Sequence, residues 1–173
     1  MKAATFVVML LASACSTLPL SDADIADEVA TLQPGAVVFI AETEREILRR
    51  GRLLTANETR IALAVGVAHP EQVRVLVHGD FIEPRDRAWL ALAKKLGVED
   101  DVEQAGRASG HGIEVQARFE LSRSVFAHEL THVAQYERLG TAGLLRDYLT
   151  QLLAVGYERA PLELEAKANE HIR

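Results

Sequence analysis

The chain has a single cysteine, Cys15, in 173 residues. That excludes an intramolecular disulfide, so a folded domain must be held by its core or by a metal. Its uncharged opening run, residues 3–14, falls short of the about 20 apolar residues that a membrane span needs. Basic residues are not in excess: 19 Lys and Arg against 25 Asp and Glu give a net charge of −6. This argues against nucleic acid as the main partner, because phosphate binding needs a basic face. Internal repeats and low-complexity tracts are also missing, so one domain is the simplest organisation.

What the N-terminus does contain is Lys2, the short apolar run, and the small-residue exit Ala12-Ser13-Ala14. Those are the basic, apolar and cleavage regions of a secretory signal, expected over residues 1–14. The triplet ending at Cys15 resembles a bacterial lipoprotein box, although Ala12 stands where leucine is usual and Leu11 lies one place earlier. The resemblance implies a lipidated Cys15, a tether over 15–24, and an exported domain (25–173) held at a membrane surface by its N-terminal lipid. In a Gram-negative cell that surface is the outer membrane or the periplasmic face, and Ser16 suits outer-membrane sorting. No disulfide-linked partner is expected.

Along the domain, residues 24–31 can form a short helix that Pro34-Gly35 stops. AVVFIAETEREILRRG then reads as a strand or buried turn entering an amphipathic helix. Thr55 and Glu58 have capping-box spacing and open a helix through Ala64. VRVLVHGDF alternates β-branched residues and reads as a strand. Residues 86–96 have helical spacing, with Gly97 as the stop. In GHGIEVQARFE, Ile113, Val115, Ala117 and Phe119 alternate with Glu114, Gln116, Arg118 and Glu120. That period predicts a half-buried strand with one wet face. Three consecutive helices follow: FAHELTHVAQYERL with its stop at Leu139-Gly140, one from Thr141 to before Gly156, and PLELEAKANEHI with Pro161 first. The fold class is therefore α+β, a small sheet followed by three helices.

His128 and His132 are four residues apart on the first of these helices, so both imidazoles project from one face and can share an ion. Glu129 lies about 100° around the helix from His128, where it can flank the ion without binding it. This is the H-E-x-x-H arrangement of two ligands and a general base, with Phe126, Leu130 and Val133 forming the opposite, core-facing stripe. Catalytic zinc also needs a third protein ligand and an open position. Gln135 and Arg138 stand three and six residues after His132, where metzincins have Gly and His, so that class is excluded. The remaining candidates are Asp147, Glu158, Glu163, Glu165, Glu170 and His171.

HELTH followed about 30 residues later by Glu163-Leu-Glu-Ala166 resembles the zincin metallopeptidases of the glutamate-ligand kind, the gluzincins. The resemblance covers residues 113–170 and implies a zincin-like fold. It makes Glu163 the preferred third ligand to zinc, with Glu165 the alternative. Lys167 stands where the family usually has Asp or Asn. The wider block, HELTHVAQYERLG with GYERAPLELEA, is similar to small bacterial proteins with the same zincin core. The implied activity is zinc-dependent hydrolysis of a peptide or protein substrate, with Glu129 as base and Tyr157 or His111 as a second donor to the oxyanion. In zincins an edge strand beside the active helix pairs with the substrate, and residues 112–119, with Gly112, Ile113 and Val115, are expected to play that part. His69 and His78 are assigned no role. The competing expectation is a non-catalytic zincin-fold lipoprotein that serves as a binding or structural module.

Overall fold

Ser21 opens the first helix with a reciprocal capping box: Asp24 N–H donates to Ser21 Oγ, and Ser21 N–H to Asp24 Oδ2. This computed structural model describes residues 20–79, 81–82 and 105–172. The expected signal, Cys15 and the helix expected over 86–96 lie outside those residues. Helix α1 spans Asp22–Arg50, so residues 22–24, expected in the tether, are already helical. The stop expected at Pro34-Gly35, and the strand or buried turn after it, are absent, because the helix runs straight through Pro34. Its buried residues explain why. Ile25, Val29, Leu32, Ala36, Phe39, Thr43 and Ile47 are spaced by threes and fours in one stripe that crosses Pro34 unbroken. An interior proline costs about 3 kcal/mol. Burying each large apolar side chain of the stripe returns roughly 1.5–3 kcal/mol, so the stripe prevails.

Strands β1 (Arg52–Leu53), β2 (Arg74–His78), β3 (Gly106–Ser109) and β4 (Gly112–Gln116) form a mixed sheet in the order β1-β2-β4-β3. β2 and β4 are parallel, and the other two pairs are antiparallel. The molecule is therefore α+β, with a small four-stranded sheet and its remaining helices C-terminal. The order corrects the expected role of residues 112–119. β4 is paired on both sides, so it is an interior strand, and Gly112, Ile113 and Val115 are buried within it. Residues Ala117–Phe119 leave the strand as a 3₁₀ turn. The expected wet face is dry at its first residue: Glu114 is fully buried, held by Arg107 Nε at 3.0 Å and by the Ile82 N–H at 2.9 Å, whereas Gln116 is half-buried and Arg118 and Glu120 are exposed. Arg107 is itself flanked by the Phe39 and Phe81 rings. Alternation of polarity locates a solvent face only when the polar residues are unpaired, and a neutralised carboxylate can be as dry as its aliphatic neighbours. Gly112 has no side chain because α1 lies against it; a Cβ there would sit 2.9 Å from the Ile47 side chain.

Helix α2 (Ala56–Val65) packs on α3 (Arg123–Val155), which carries the centre of the molecule. Ser122 caps α3, and Gly140 (φ 68°, ψ 160°) breaks it into two arms, at the stop expected from Leu139-Gly140. A 3₁₀ turn (Tyr157–Arg159) then leads into α4 (Pro161–Asn169), with Pro161 at its first position as expected. The main core lies between the sheet, α1, α2 and the first arm of α3. A smaller cluster of Ile25, Val29, Leu32 and Leu149 fastens α1 to the second arm. Among the described residues no helix is long and apolar enough to cross a membrane.

The capping box expected at the start of α2 is present, and Arg52 extends it with two bonds to Glu58, 2.8 and 2.9 Å long. Burial works to raise the Glu58 carboxyl, but Arg52 and the Thr55 N–H outweigh it and hold the pKa below the usual value. A depressed folded-state pKa gives stability that is fully present above the unfolded value of 4.5 and lost as pH falls through the folded one. Thr55→Ala is expected to cost about 1 kcal/mol, and Glu58→Gln about 2 kcal/mol because it removes the charge and one of the two acceptor oxygens that Arg52 uses. The Glu58→Gln deficit, measured by urea unfolding, should be full at pH 7 and narrow progressively below pH 4.5.

Candidate metal centre

The first arm of α3 carries His128, Glu129 and His132. The spacing of four stacks the imidazoles edge to face with centroids 4.9 Å apart, and their Nε2 atoms come within 3.2 Å. Helix α4 packs back against this arm and inserts Glu163. Its Oε2 lies 3.4 Å from His128 Nε2, and its Oε1 lies 3.5 Å from His132 Nε2. One donor atom from each of the three residues falls within 4.8 Å of the other two. Glu163 is only 2% exposed, whereas the histidine side chains keep 14% and 15%. The group is therefore anchored from the core and open on the histidine side.

The other candidate ligands are engaged elsewhere. Glu165 points away from the histidines and accepts from the Arg138 guanidinium at 2.9 and 3.1 Å and from Gln135 at 3.0 Å. Asp147 pairs with Arg146, Glu158 with Lys167, and the His171 ring lies against the Ala168 carbonyl. Glu170 reaches the centre from outside: its Oε1 is 3.0 Å from His128 Nδ1, the ring nitrogen that faces away from Glu163.

Charge is balanced closely here. Burial acts to raise the Glu163 carboxyl, but His128, His132 and the Tyr148 hydroxyl outweigh it and hold the pKa at about 2. Burial likewise works against a charged His128, yet Glu163, Glu129 and Glu170 outweigh it and raise that pKa to about 9. Tyr148, on the second arm of α3, donates to Glu163 Oε1 at 2.7 Å. The sequence reading missed it. The available signal was a tyrosine beside the core-facing Leu145 and Leu149, since a buried phenol hydroxyl needs a partner.

Glu129 is 6% exposed and forms no hydrogen bond or ion pair among the described residues. Burial raises its pKa by more than His132 and His128 lower it. Space for its side chain comes from Gly106 on β3, where a Cβ would lie 2.7 Å from Glu129 Cγ and 2.8 Å from Oε1. That glycine was also missed, since only the fold brings it to Glu129. Tyr157, in the turn before α4, lies near Glu163; burial and that carboxylate push its phenol well above the usual range. The residue remains 45% exposed. His111 does not join this group: on the β3–β4 turn its Nε2 meets Glu137 at 3.1 Å, and its Nδ1 faces Glu44.

Two observations test whether a metal suits these residues. Glu163 Oε2 is a buried charged oxygen with no hydrogen-bond partner, and it faces the histidines. Two imidazole nitrogens and one carboxylate, with solvent on the remaining side, also form a donor set that zinc accepts. The residues fit the ion. Glu163→Ala is expected to lower zinc affinity by more than the roughly 10–100-fold that loss of an outer partner costs. Glu165→Ala should stay within that range, and zinc titration against a chromophoric chelator measures both. No family model, curated protein or solved structure matches this chain, so the reading of the centre rests on its own geometry and chemistry.

Proposed function

We propose that the protein is a zinc-dependent peptidase of zincin-like architecture, in which His128, His132 and Glu163 hold the metal and Glu129 is the general base. The observation that carries the reading is a buried carboxylate, Glu129, without a hydrogen-bond partner among the described residues, one residue from a three-donor cluster with an open side. A zinc ion held there supplies Lewis acidity to a peptide carbonyl and to water. Glu129 takes the proton from the water whose oxygen attacks the carbonyl carbon. It then gives that proton to the amide nitrogen as the C–N bond breaks. The upward pull of burial suits it to hold that proton between the two steps. Tyr157 keeps its hydroxyl proton across the physiological range and is exposed enough to meet a substrate, so it is the donor for the developing oxyanion. Tyr148 is committed to Glu163 and positions the ligand.

In this reading the substrate's extended backbone pairs with β3. Among the described residues, β3 has a sheet partner on one side only, and its Gly106 touches Glu129. The interior strand β4 is excluded from that role. Export and attachment through a lipid on Cys15 complete the proposal. They rest on the opening residues of the sequence, and mass spectrometry of a membrane extract tests them through the expected acyl adduct.

The non-catalytic alternative, a binding or structural module, needs no base, and a binding site that merely clamped a metal would gain nothing from an unpaired buried carboxylate. Zinc content and peptide cleavage of wild type and Glu129→Ala separate the two readings. The expected result is equal zinc with cleavage reduced by at least about 100-fold, the lower range for a positioned base. Equal cleavage by both proteins would sink the catalytic reading, and a wild type without zinc would sink the centre. Gly106→Ala should keep its zinc and lose activity, because the added methyl displaces Glu129 and no ligand.

A further inference from the structure

We propose that Gln135 is the positioning residue of the metal centre, fixing the tautomer of His132 and the register of Glu163 at once; the inference rests on the zinc reading above. Gln135 is fully buried on α3, one turn beyond His132. Its Oε1 lies 2.8 Å from His132 Nδ1. Its Nε2 donates to the Leu162 carbonyl at 3.0 Å and to Glu165 Oε2 at 3.0 Å.

Chemistry alone orients this amide. A backbone carbonyl and an ionised carboxylate can only accept, so the NH₂ end must face α4 and the carbonyl end must face the imidazole. An amide oxygen also only accepts, so His132 must carry its proton on Nδ1. The Nε2 lone pair is then left facing His128 and Glu163. The partner of His128 is of a different kind: an exposed carboxylate, Glu170, rather than a buried amide. Both contacts serve the same end, each Nδ1 being held from outside and each Nε2 turned inward.

The second half of the inference concerns α4. Leu162, whose carbonyl Gln135 holds, directly precedes Glu163. Its N–H is held as well, by Gln151 Oε1 at 2.9 Å. That N–H is one of the unpaired donors of the first helical turn, so two glutamines from the two arms of α3 pin the peptide groups on either side of Leu162, the residue before the third ligand. Lys167 occupies the place where the glutamate-ligand zincins carry their supporting acid or amide. Here the support comes from the metal helix itself.

The test uses the full chain in three measurements: zinc affinity of wild type and Gln135→Leu, circular dichroism of both, and ¹⁵N imidazole NMR of the zinc-loaded wild type. The proposal expects His132 to carry a slowly exchanging Nδ1 proton. It also expects Gln135→Leu, while folded, to bind zinc about 10–100-fold more weakly and to lose that slow exchange, with His128 unchanged. A merely structural glutamine would lower thermal stability and leave the imidazole proton and the affinity alone. If Gln135→Leu does not fold, the wild-type spectrum decides. A slowly exchanging Nδ1 proton supports the proposal, and a His132 protonated at Nε2 overturns it. Folded Gln135→Leu with wild-type zinc affinity overturns the proposal alone, whereas no zinc uptake by the wild type overturns the metal centre and the proposal with it.

Discussion

An ionised carboxylate buried as deeply as Glu163 has to be matched by donors or positive charge, because an unpaired buried charge costs several kcal/mol. Much of the architecture around α3 meets that requirement. The first arm supplies two imidazoles on one face, and the second arm supplies the Tyr148 hydroxyl. The two arms can contribute together because Gly140 breaks the helix between them with a backbone conformation that other residues rarely adopt. The short α4 then has one allowed seat. With Leu162 pinned by Gln135 and Gln151, and Asn169 donating to Thr131 at its far end, a slide along α3 would strand Glu163 in the core.

The same constraint operates on the sheet, where the buried acid is Glu114. Glu114 and Arg107 face each other across β4 and β3, and the pair is dry because each satisfies the other and the aromatic rings of Phe39 and Phe81 cover the guanidinium. This pairing fixes the β3–β4 register, and that register sets Gly106 opposite Glu129. A slip of one residue would present Arg107 to Glu129 in place of a glycine, since neighbouring positions on a strand face opposite sides. The geometry around the proposed general base therefore depends on an ion pair on the other face of the sheet.

Those dependencies explain what was legible in the sequence. The histidine pair, its acid neighbour, the cap at Thr55, the break at Gly140 and the start at Pro161 are local, written within a turn or two of chain. Glu163 was legible as the first of two acids after that proline, and the fold separates it from Glu165 because Arg138 and Gln135 take the latter. Pro34 misled because a strong local stop signal was weighed against a stripe of about seven buried residues whose partners lie on distant elements. β4 misled because its Glu114 is satisfied by Arg107 of β3 and by the Ile82 backbone, which no pattern within the strand records. Gln135, Tyr148 and Gly106 are of this second kind. Each acquires its role only from an element distant in the chain.

The contrast between Glu114 and Glu129 bears most directly on function. Both are buried glutamates near the same strand pair, so burial alone says nothing about activity. Glu114 is surrounded by donors, which is how a fold neutralises an acid it keeps for structure. Glu129 has no such donors among the described residues: the backbone of a glycine lies close against its side chain, and its charged neighbours include the residues of the three-donor cluster. A protein that needed only a rigid metal clamp would be stabilised by an apolar side chain in place of Glu129, because the exchange removes the desolvation cost of a buried carboxylate. Retaining a destabilising carboxylate beside an open donor set is the arrangement expected where strain is kept for chemistry, and it favours a proton-transferring centre over a structural one.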